Sequence, residues 1–272
     1  MKVALGQFSV AREWQANLRT CIDLMQQAQA GGADLLVLPE AVMAQDSADP
    51  TLSVKVAQPL DGPFVSALLT ASRAFAMTTI LGLHVPAPAG KASNVVIALR
   101  DGAIVARYHK LHLYDAFAMQ ESRNIQAGDT VPPLFAVAGM TVGLMTCYDI
   151  RFPELAGRLA LDGADVLVLP SAWVRGPLKE RHWEVLVTAR ALDNTCYLVA
   201  VGECGPRNIG QSLVVDPLGV AIAKAAETPA LIFAHLDPAR VQQARQALPV
   251  LANRRFARPE LAPPAARDLK RQ

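Results

Sequence analysis

Gly32-Ala33-Asp34-Leu35-Leu36-Val37-Leu38-Pro39-Glu40-Ala41 returns 131 positions later as Gly163-Ala164-Asp165-Val166-Leu167-Val168-Leu169-Pro170-Ser171-Ala172, identical at eight of ten residues. Each copy is a short apolar run entered from Gly and Asp and closed by Pro, the pattern of a strand buried on both faces. Upstream of the first copy, residues 2–8 read as a strand. Trp14, Leu18, Ile22, Met25 and Ala28 then recur at helical spacing up to Gly31-Gly32, so the copy closes a β-α-β unit. The second copy closes a matching unit, with a strand at 141–146, a helix at 153–161 and a strand at 165–169. The sequence therefore predicts an internal repeat and an α/β layered architecture.

Working outward, a helix is expected at 64–76, strands at 78–84 and 94–99, and a two-residue hairpin turn at Asp101-Gly102 leading into a strand at 103–113. Beyond the second unit come a helix at 182–193 and strands at 197–202, 212–215, 220–223 and 231–236. Two sheets packed face to face, each covered by helices, would use all of these. The expectation is one domain over 1–259, followed by a Pro-, Ala- and charge-rich tail at 260–272 that is loosely held or reaches a neighbouring subunit.

Hydrophobic residues make up 52% of the 272, enough to bury one large core. The formal charge is only +2 with no basic stripe, which argues against a nucleic-acid surface and for small-molecule chemistry. Apolar runs fall far short of the ~20 residues that span a bilayer. The N-terminal MKVALGQFSVAREW lacks the apolar core of a signal peptide, so a cytoplasmic location is expected. Cys21, Cys147, Cys196 and Cys204 have no CxxC spacing and read as separate thiols suited to a reducing compartment.

Polar residues just past the ends of parallel strands are the first place to look for chemistry. Glu40 follows LLVLP, and Cys147 closes VGLMT before the turn Tyr148-Asp149-Ile150-Arg151-Phe152-Pro153. If the repeated units face one another, these two ends share one pocket. A carboxylate could then take the thiol proton, and an ammonium could favour the thiolate and a later oxyanion. Lys110 is the candidate cation, in RYHKLHL, where strand alternation puts Tyr108, Lys110 and His112 on one face. The same alternation separates His109 from His112 and argues against a shared metal. Singly, each residue has a plainer reading: a small buried Cys, a solvated Glu, a surface Lys.

Together, LLVLPEA, RYHKLHLYD and GLMTCYDIRFPE resemble, in order and separation, the three signature regions of the nitrilase-like carbon–nitrogen hydrolase superfamily. The resemblance runs from about Val3 to Pro259. It implies a four-layer αββα sandwich, a homodimer or larger assembly, and catalysis by Glu40, Lys110 and Cys147. It also assigns Glu121, in the loop between Lys and Cys, to holding Lys110 and assisting proton traffic. The implied reaction is amide hydrolysis through a Cys147 thioester, with the oxyanion held by Lys110 and the Tyr148 backbone N–H, and it needs no metal or organic cofactor. Further segments, YHKLHLYDAFAMQESR, SAWVRGPLKERHWEVLVTARALDNTCYLVAVGECG, GQSLVVDPLG and LPVLANRR, are similar to the bacterial deaminated glutathione amidase branch. That branch implies a carboxylate-bearing amide as substrate. An ω-amidase acting on 2-oxoglutaramate or 2-oxosuccinamate is the nearest alternative. A nitrilase, an N-carbamoyl amino acid hydrolase and a catalytically silent scaffold of the same fold are more remote.

For substrate binding, Arg151 has two readings: bidentate pairing with a substrate carboxylate, as the resemblance implies, or a structural salt bridge with Glu154 or Asp149. Trp173, Arg175 and His182 belong to a basic segment expected as a loop beyond Ser171, the residue standing where the first repeat has Glu40. With Tyr148 these complete the substrate-binding candidates. Cys204, on an expected loop, either lines the pocket or is a passive thiol.

Overall fold

The computed structural model describes residues 1–46 and 48–263. Along the chain run β1 (Lys2–Gln7), α1 (Trp14–Ala30), β2 (Leu35–Val37), α2 (Leu52–Val56), α3 (Pro63–Ser72), β3 (Thr78–Ala87), β4 (Lys91–Arg100), β5 (Ala103–His109), β6 (Ile125–Gln126) and β7 (Phe135–Val137). There follow β8 (Met140–Leu144), α4 (Pro153–Leu161), β9 (Val166–Ser171), α5 (Lys179–Asn194), β10 (Tyr197–Gly202), β11 (Leu213–Val215), β12 (Ala221–Lys224), β13 (Ala230–His235), α6 (Pro238–Ala247) and α7 (Val250–Asn253).

The first sheet has the order β13-β1-β2-β3-β4-β5, with β6 also against β4, and the second the order β12-β11-β10-β9-β8-β7. In the first, β1, β2 and β3 are parallel and β4 and β5 follow antiparallel. In the second, β8, β9 and β10 are parallel and β11 and β12 follow antiparallel. One five-strand plan is thus drawn twice. The sequence repeat falls on its second strand in each case: Leu35 sits between Val3 and Thr78, and Val166 sits between Val142 and Tyr197.

Strand alternation builds the layers. Val3, Leu5, Leu35, Val37, Ile80, Val96 and Ala98 point inward to a core shared with Val142, Leu144, Val166 and Val168 of the second sheet. The intervening Ala4, Leu36, Leu38, Leu81, Val95 and Ile97 point outward and pack with Leu24 and Met25 of α1 and Phe64 and Leu68 of α3. On the far side α4 and α5 contribute Leu155, Leu159, Trp183 and Val187 to the central core. The result is a four-layer αββα sandwich.

Several boundaries differ from the sequence expectation. The strands 78–84 and 94–99 extend to Ala87 and back to Lys91, pairing Pro86 with Ala92, so Pro86 lies within the hairpin. β5 ends at His109 rather than 113, and α3 ends at Ser72. α5 begins at Lys179, inside the segment expected as a loop. The hairpin turn is as read, with Asp101 and Gly102 at φ 52° and 73°, the left-handed pair that a two-residue turn requires. Residues 260–263 carry no helix or strand, and the rest of the expected tail, 264–272, lies outside the described residues. Among the described residues no helix is long and apolar enough to cross a membrane.

Candidate active site

Parallel strands aim their C-terminal ends the same way, and the ends of β2, β8 and β9 converge at the seam between the sheets. Glu40 follows β2, Cys147 follows β8, and Ala172 follows β9. The Glu40 carboxylate accepts the Ala172 N–H at 2.8 Å, so the two copies of the repeated segment touch at their C-terminal ends. Lys110 lies one residue past β5, its N–H bonded to the Asn94 carbonyl and its carbonyl accepting the Gly128 N–H.

Lys110 Nζ is 2.9 Å from Glu40 Oε1 and 2.9 Å from Glu121 Oε2, with Lys110 and Glu40 almost fully buried. The Asn94 side-chain amide donates to both carboxylates, to Glu40 at 2.7 Å and Glu121 at 3.1 Å. The Tyr114 N–H donates to Glu121 at 2.6 Å. Cys147 lies beside Glu40, and each shifts the ionisation of the other. A buried ion pair of this kind is weak evidence of stabilisation and better evidence of chemistry.

Protonation follows from the charges. Burial alone would raise Glu40, but the Lys110 charge and hydrogen bonds from Lys110 and Asn94 outweigh it and hold the carboxyl below its ordinary value. Burial would lower Lys110, and the carboxylates of Glu121 and Glu40 reverse that, holding it well above its ordinary value. Cys147 is pushed well above its ordinary value by burial first and the Glu40 charge second, against the opposing pull of Lys110. The resting site is therefore a thiol beside a carboxylate that is paired with an ammonium. This poises Glu40 as a base.

Cys147 has φ 43°, a left-handed conformation rare outside glycine, at the junction of β8 with a 3-10 turn, Cys147–Arg151. Asp149, fully buried, holds that turn. It accepts from the Thr146 N–H at 2.9 Å, the Tyr108 hydroxyl at 2.7 Å and the His112 N–H at 3.2 Å, and its Oδ1 lies 2.7 Å from His112 Nδ1. Tyr108 and His112 thus share a partner, as their common face suggested, while Lys110 between them reaches the two carboxylates.

A cavity of about 600 Å³ opens over these groups, lined by Glu40, Lys110, Glu121 and Cys147 together with Tyr148 and Trp173. The remaining substrate-binding candidates stand elsewhere. Ser171 is fully buried with its hydroxyl 3.5 Å from the Leu169 carbonyl. Arg175 faces Glu227 at 3.3 Å and Glu180 at 3.9 Å. Arg151 pairs with neither Glu154 nor Asp149; its guanidinium lies 4.9 Å from the Trp173 ring centre and 6.0 Å from that of Tyr148, with one nitrogen 3.4 Å from His182 Nδ1. Cys204 is buried and is not among the cavity residues.

His84, Asn94, Tyr114 and Lys179, not singled out from the sequence, are among the other residues that line the cavity. His84 and Asn94 are polar residues inside strands otherwise buried on both faces, a signal the sequence does carry. Among the described residues no group of three or more His, Cys, Asp or Glu side chains is placed to hold a metal ion.

Comparison with known proteins gives the same picture. The family model described as carbon-nitrogen hydrolase matches residues 2–246. A protein of Escherichia coli named deaminated glutathione amidase is 59% identical over 261 residues, covering 96% of this chain and all of that one. Among solved structures, Saccharomyces cerevisiae Nit3, a member of branch 10 of the nitrilase superfamily, superposes with a TM-score of 0.83 at 29% identity, covering 94% and 97% of the two chains. A mutant amidase from Nesterenkonia sp. AN1, with the acetamide moiety of fluoroacetamide covalently added at its active-site cysteine, superposes with a TM-score of 0.81 at 26% identity and 94% coverage of each.

Proposed function

The chain belongs to the carbon–nitrogen hydrolase family, and from that premise we propose that it is a cysteine-dependent amidase whose substrate is deaminated glutathione. Cys147 is the nucleophile, Glu40 the general base and acid, Lys110 the electrostatic partner, and Glu121 the residue that positions Lys110. The observation that carries the chemistry is the buried Cys147–Glu40–Lys110 constellation at the floor of the cavity.

The steps follow from the resting protonation. Glu40 takes the Cys147 proton as Sγ attacks the amide carbonyl carbon, and the carbonyl oxygen becomes an oxyanion. Lys110 and the Tyr148 backbone N–H, in the first turn after Cys147 where helical amides lack intrahelical acceptors, stabilise that charge. The C–N bond then breaks as Glu40 returns the proton to the departing amine. A water, deprotonated by the same carboxylate, attacks the thioester, and the thiolate leaves and regains a proton from Glu40. With deaminated glutathione the products are cysteinylglycine and 2-oxoglutarate.

The choice of substrate is supported by the 59% identity to the Escherichia coli deaminated glutathione amidase along its full length. Cavity size favours it over the ω-amidase reading: the lining runs beyond Cys147 to Asp49, Arg123 and Arg207, more room than 2-oxoglutaramate needs. The same reading includes a single domain over 1–259, a homodimer and a cytoplasmic location, the last supported by four unpaired buried cysteines.

Steady-state kinetics on deaminated glutathione and on 2-oxoglutaramate, following 2-oxoglutarate release, test the proposal. A strong preference for the dipeptide amide, abolished in Cys147→Ala, is the expected result. Equal or better use of 2-oxoglutaramate would move the assignment to an ω-amidase, and undiminished turnover by Cys147→Ala would remove the nucleophile.

A further inference from the structure

Lys179 is the first residue of α5, and its side chain turns back over the cavity wall instead of out to water. Its ammonium lies 4.4 Å from the ring centre of Trp173, 4.9 Å from that of Phe117 and 5.0 Å from that of Tyr114, and the residue is 3% exposed. The Trp173 indole N–H donates to the Lys179 carbonyl at 2.9 Å, which fixes the turn that folds the side chain inward. Nζ makes one hydrogen bond, to the Tyr114 hydroxyl at 3.1 Å. Among the described residues no carboxylate lies within ion-pair distance of it.

Arg151 sits 4.9 Å from the same Trp173 ring and also has no carboxylate partner. Its contact with His182 is long, and its Nε is buried without a partner. Two cations over one indole repel each other, and burial followed by the Arg151 charge holds the Lys179 pKa below its ordinary value. Aromatic faces offset part of the cost of taking an ammonium out of water, but they leave two of its three N–H bonds without acceptors. Such an arrangement is completed by an anion.

The position identifies which anion. Lys179 and Cys147 line the same cavity, and a charge on the Cys147 sulfur is felt at Lys179. Tyr114, the hydrogen-bond partner of Lys179, packs edge-on against Tyr148, the residue after Cys147, at 5.0 Å between ring centres. A group bound there belongs to the half of the substrate that stays bonded to Cys147 after the amine departs.

We propose that Lys179 binds the terminal carboxylate of the substrate's acyl half, donating to it from Nζ beside the Tyr114 hydroxyl and within the box of Trp173, Phe117 and Tyr114 rings. This rests on the amidase reading above and deepens it. The Tyr114 oxygen accepts from Lys179 and keeps its own proton to donate to the carboxylate. Arg151, over the same Trp173 and Phe117 rings, supplies a second positive charge. The site selects amides of dicarboxylic acids over amides of simple fatty acids, because an uncharged acyl chain leaves the two cations uncompensated.

The test measures 2-oxoglutarate and glutarate binding by titration calorimetry, and kinetics on deaminated glutathione, in wild type, Lys179→Met, Lys179→Arg and Tyr114→Phe. Lys179→Met preserves length and apolar packing. It is expected to weaken dicarboxylate binding and raise KM by about ten- to hundredfold, with a much smaller change in kcat. Lys179→Arg restores most of the loss, which a purely structural role would not require. Tyr114→Phe costs about three- to tenfold and carries the test if the methionine variant does not fold. Wild-type KM and binding in both Lys179→Met and Tyr114→Phe would overturn the inference, as would failure of the wild type to bind either dicarboxylate. If the wild type binds both but hydrolyses neither amide, the functional reading fails while the subsite stands.

Discussion

His84 stands on β3 directly opposite Asn94 on β4, so the two side chains share a face and both enter the cavity. Each is buried, and each has one polar atom without a partner, Nδ1 of His84 and Oδ1 of Asn94. Burial is the largest cause of a lowered His84 pKa, and the Lys110 charge adds to it against the opposing pull of Glu40; the ring sits at about 4, down from 6.5. The unfolded chain therefore binds a proton that the folded ring refuses between these values, so folding stability falls as pH drops from 6.5 through 4. By pH 5 the loss is about 2 kcal/mol. Unfolding free energies from denaturant titration at pH 7.5 and pH 5 should differ less in His84→Asn than in wild type, by about that amount. An equal acid sensitivity in the two proteins would show that the ring is not buried neutral. Residues of this kind mark where sequence reading runs out. Glu40 and Cys147 announced themselves by ending apolar strands, and Lys110 by its motif. Asn94 shows in the sequence only as a polar residue in an apolar strand; its place in the cavity comes from the cross-strand register, and that of Lys179 from a helix start, neither of which is written in local sequence. Arg151 was read as a carboxylate partner through the family resemblance, and Ser171, Arg175 and His182 as a substrate rim from their place in one basic segment; the fold turns Ser171 inward and Arg175 toward Glu227.

At the scale of elements, the position of Glu40 depends on how closely β3 passes beneath it. A side-chain carbon at Gly82 would lie 2.8 Å from the Glu40 Cα and 3.3 Å from the Ala41 nitrogen, and backbone cannot swing aside as a flexible side chain can. The same passage is tied by two hydrogen bonds, from the Gly82 N–H to the Pro39 carbonyl at 3.0 Å and from the Val42 N–H to the Gly82 carbonyl at 2.9 Å. Gly82→Ala is therefore expected to displace the carboxylate by a fraction of an ångström and to lower kcat by roughly ten- to hundredfold. Far-ultraviolet circular dichroism should remain that of the wild type. Unchanged kcat would mean that Glu40 does not need this register. The β-α-β units were legible because their strands are apolar without interruption and their helices amphipathic. The start of α5 was not, because its first turn carries Lys179, Glu180 and Arg181 and looks like a solvated loop, whereas in the fold Lys179 is buried.

At the scale of the molecule, the site exists only where the two halves meet: Glu40, Lys110 and Glu121 come from the first sheet and its loops, and Cys147 and Ala172 from the second. The repeat predicted that strand ends could oppose one another, but the pairing of one sheet face with the other follows from the summed inner side chains and has no local signature. The same limit applies to the outer surface. Val185 and Leu192 lie seven residues apart on one face of α5 and are exposed, as are Val220 and Ile222 beside β12. The two groups adjoin: the Gly219 turn packs near Leu192, and Lys224 pairs with Glu184 at 3.3 Å. Apolar residues gathered on a helix and a neighbouring edge strand suit a two-fold interface, in which each patch meets its own copy. Sedimentation equilibrium is expected to give twice the 29.1 kDa chain mass. Val185→Glu combined with Leu192→Glu should shift the protein toward monomer, because burying unpaired carboxylates opposes association while solvent-exposed ones cost the fold little. A dimer undisturbed by both substitutions would place the interface on another face, and a wild-type monomer would show that the α5 surface meets only water.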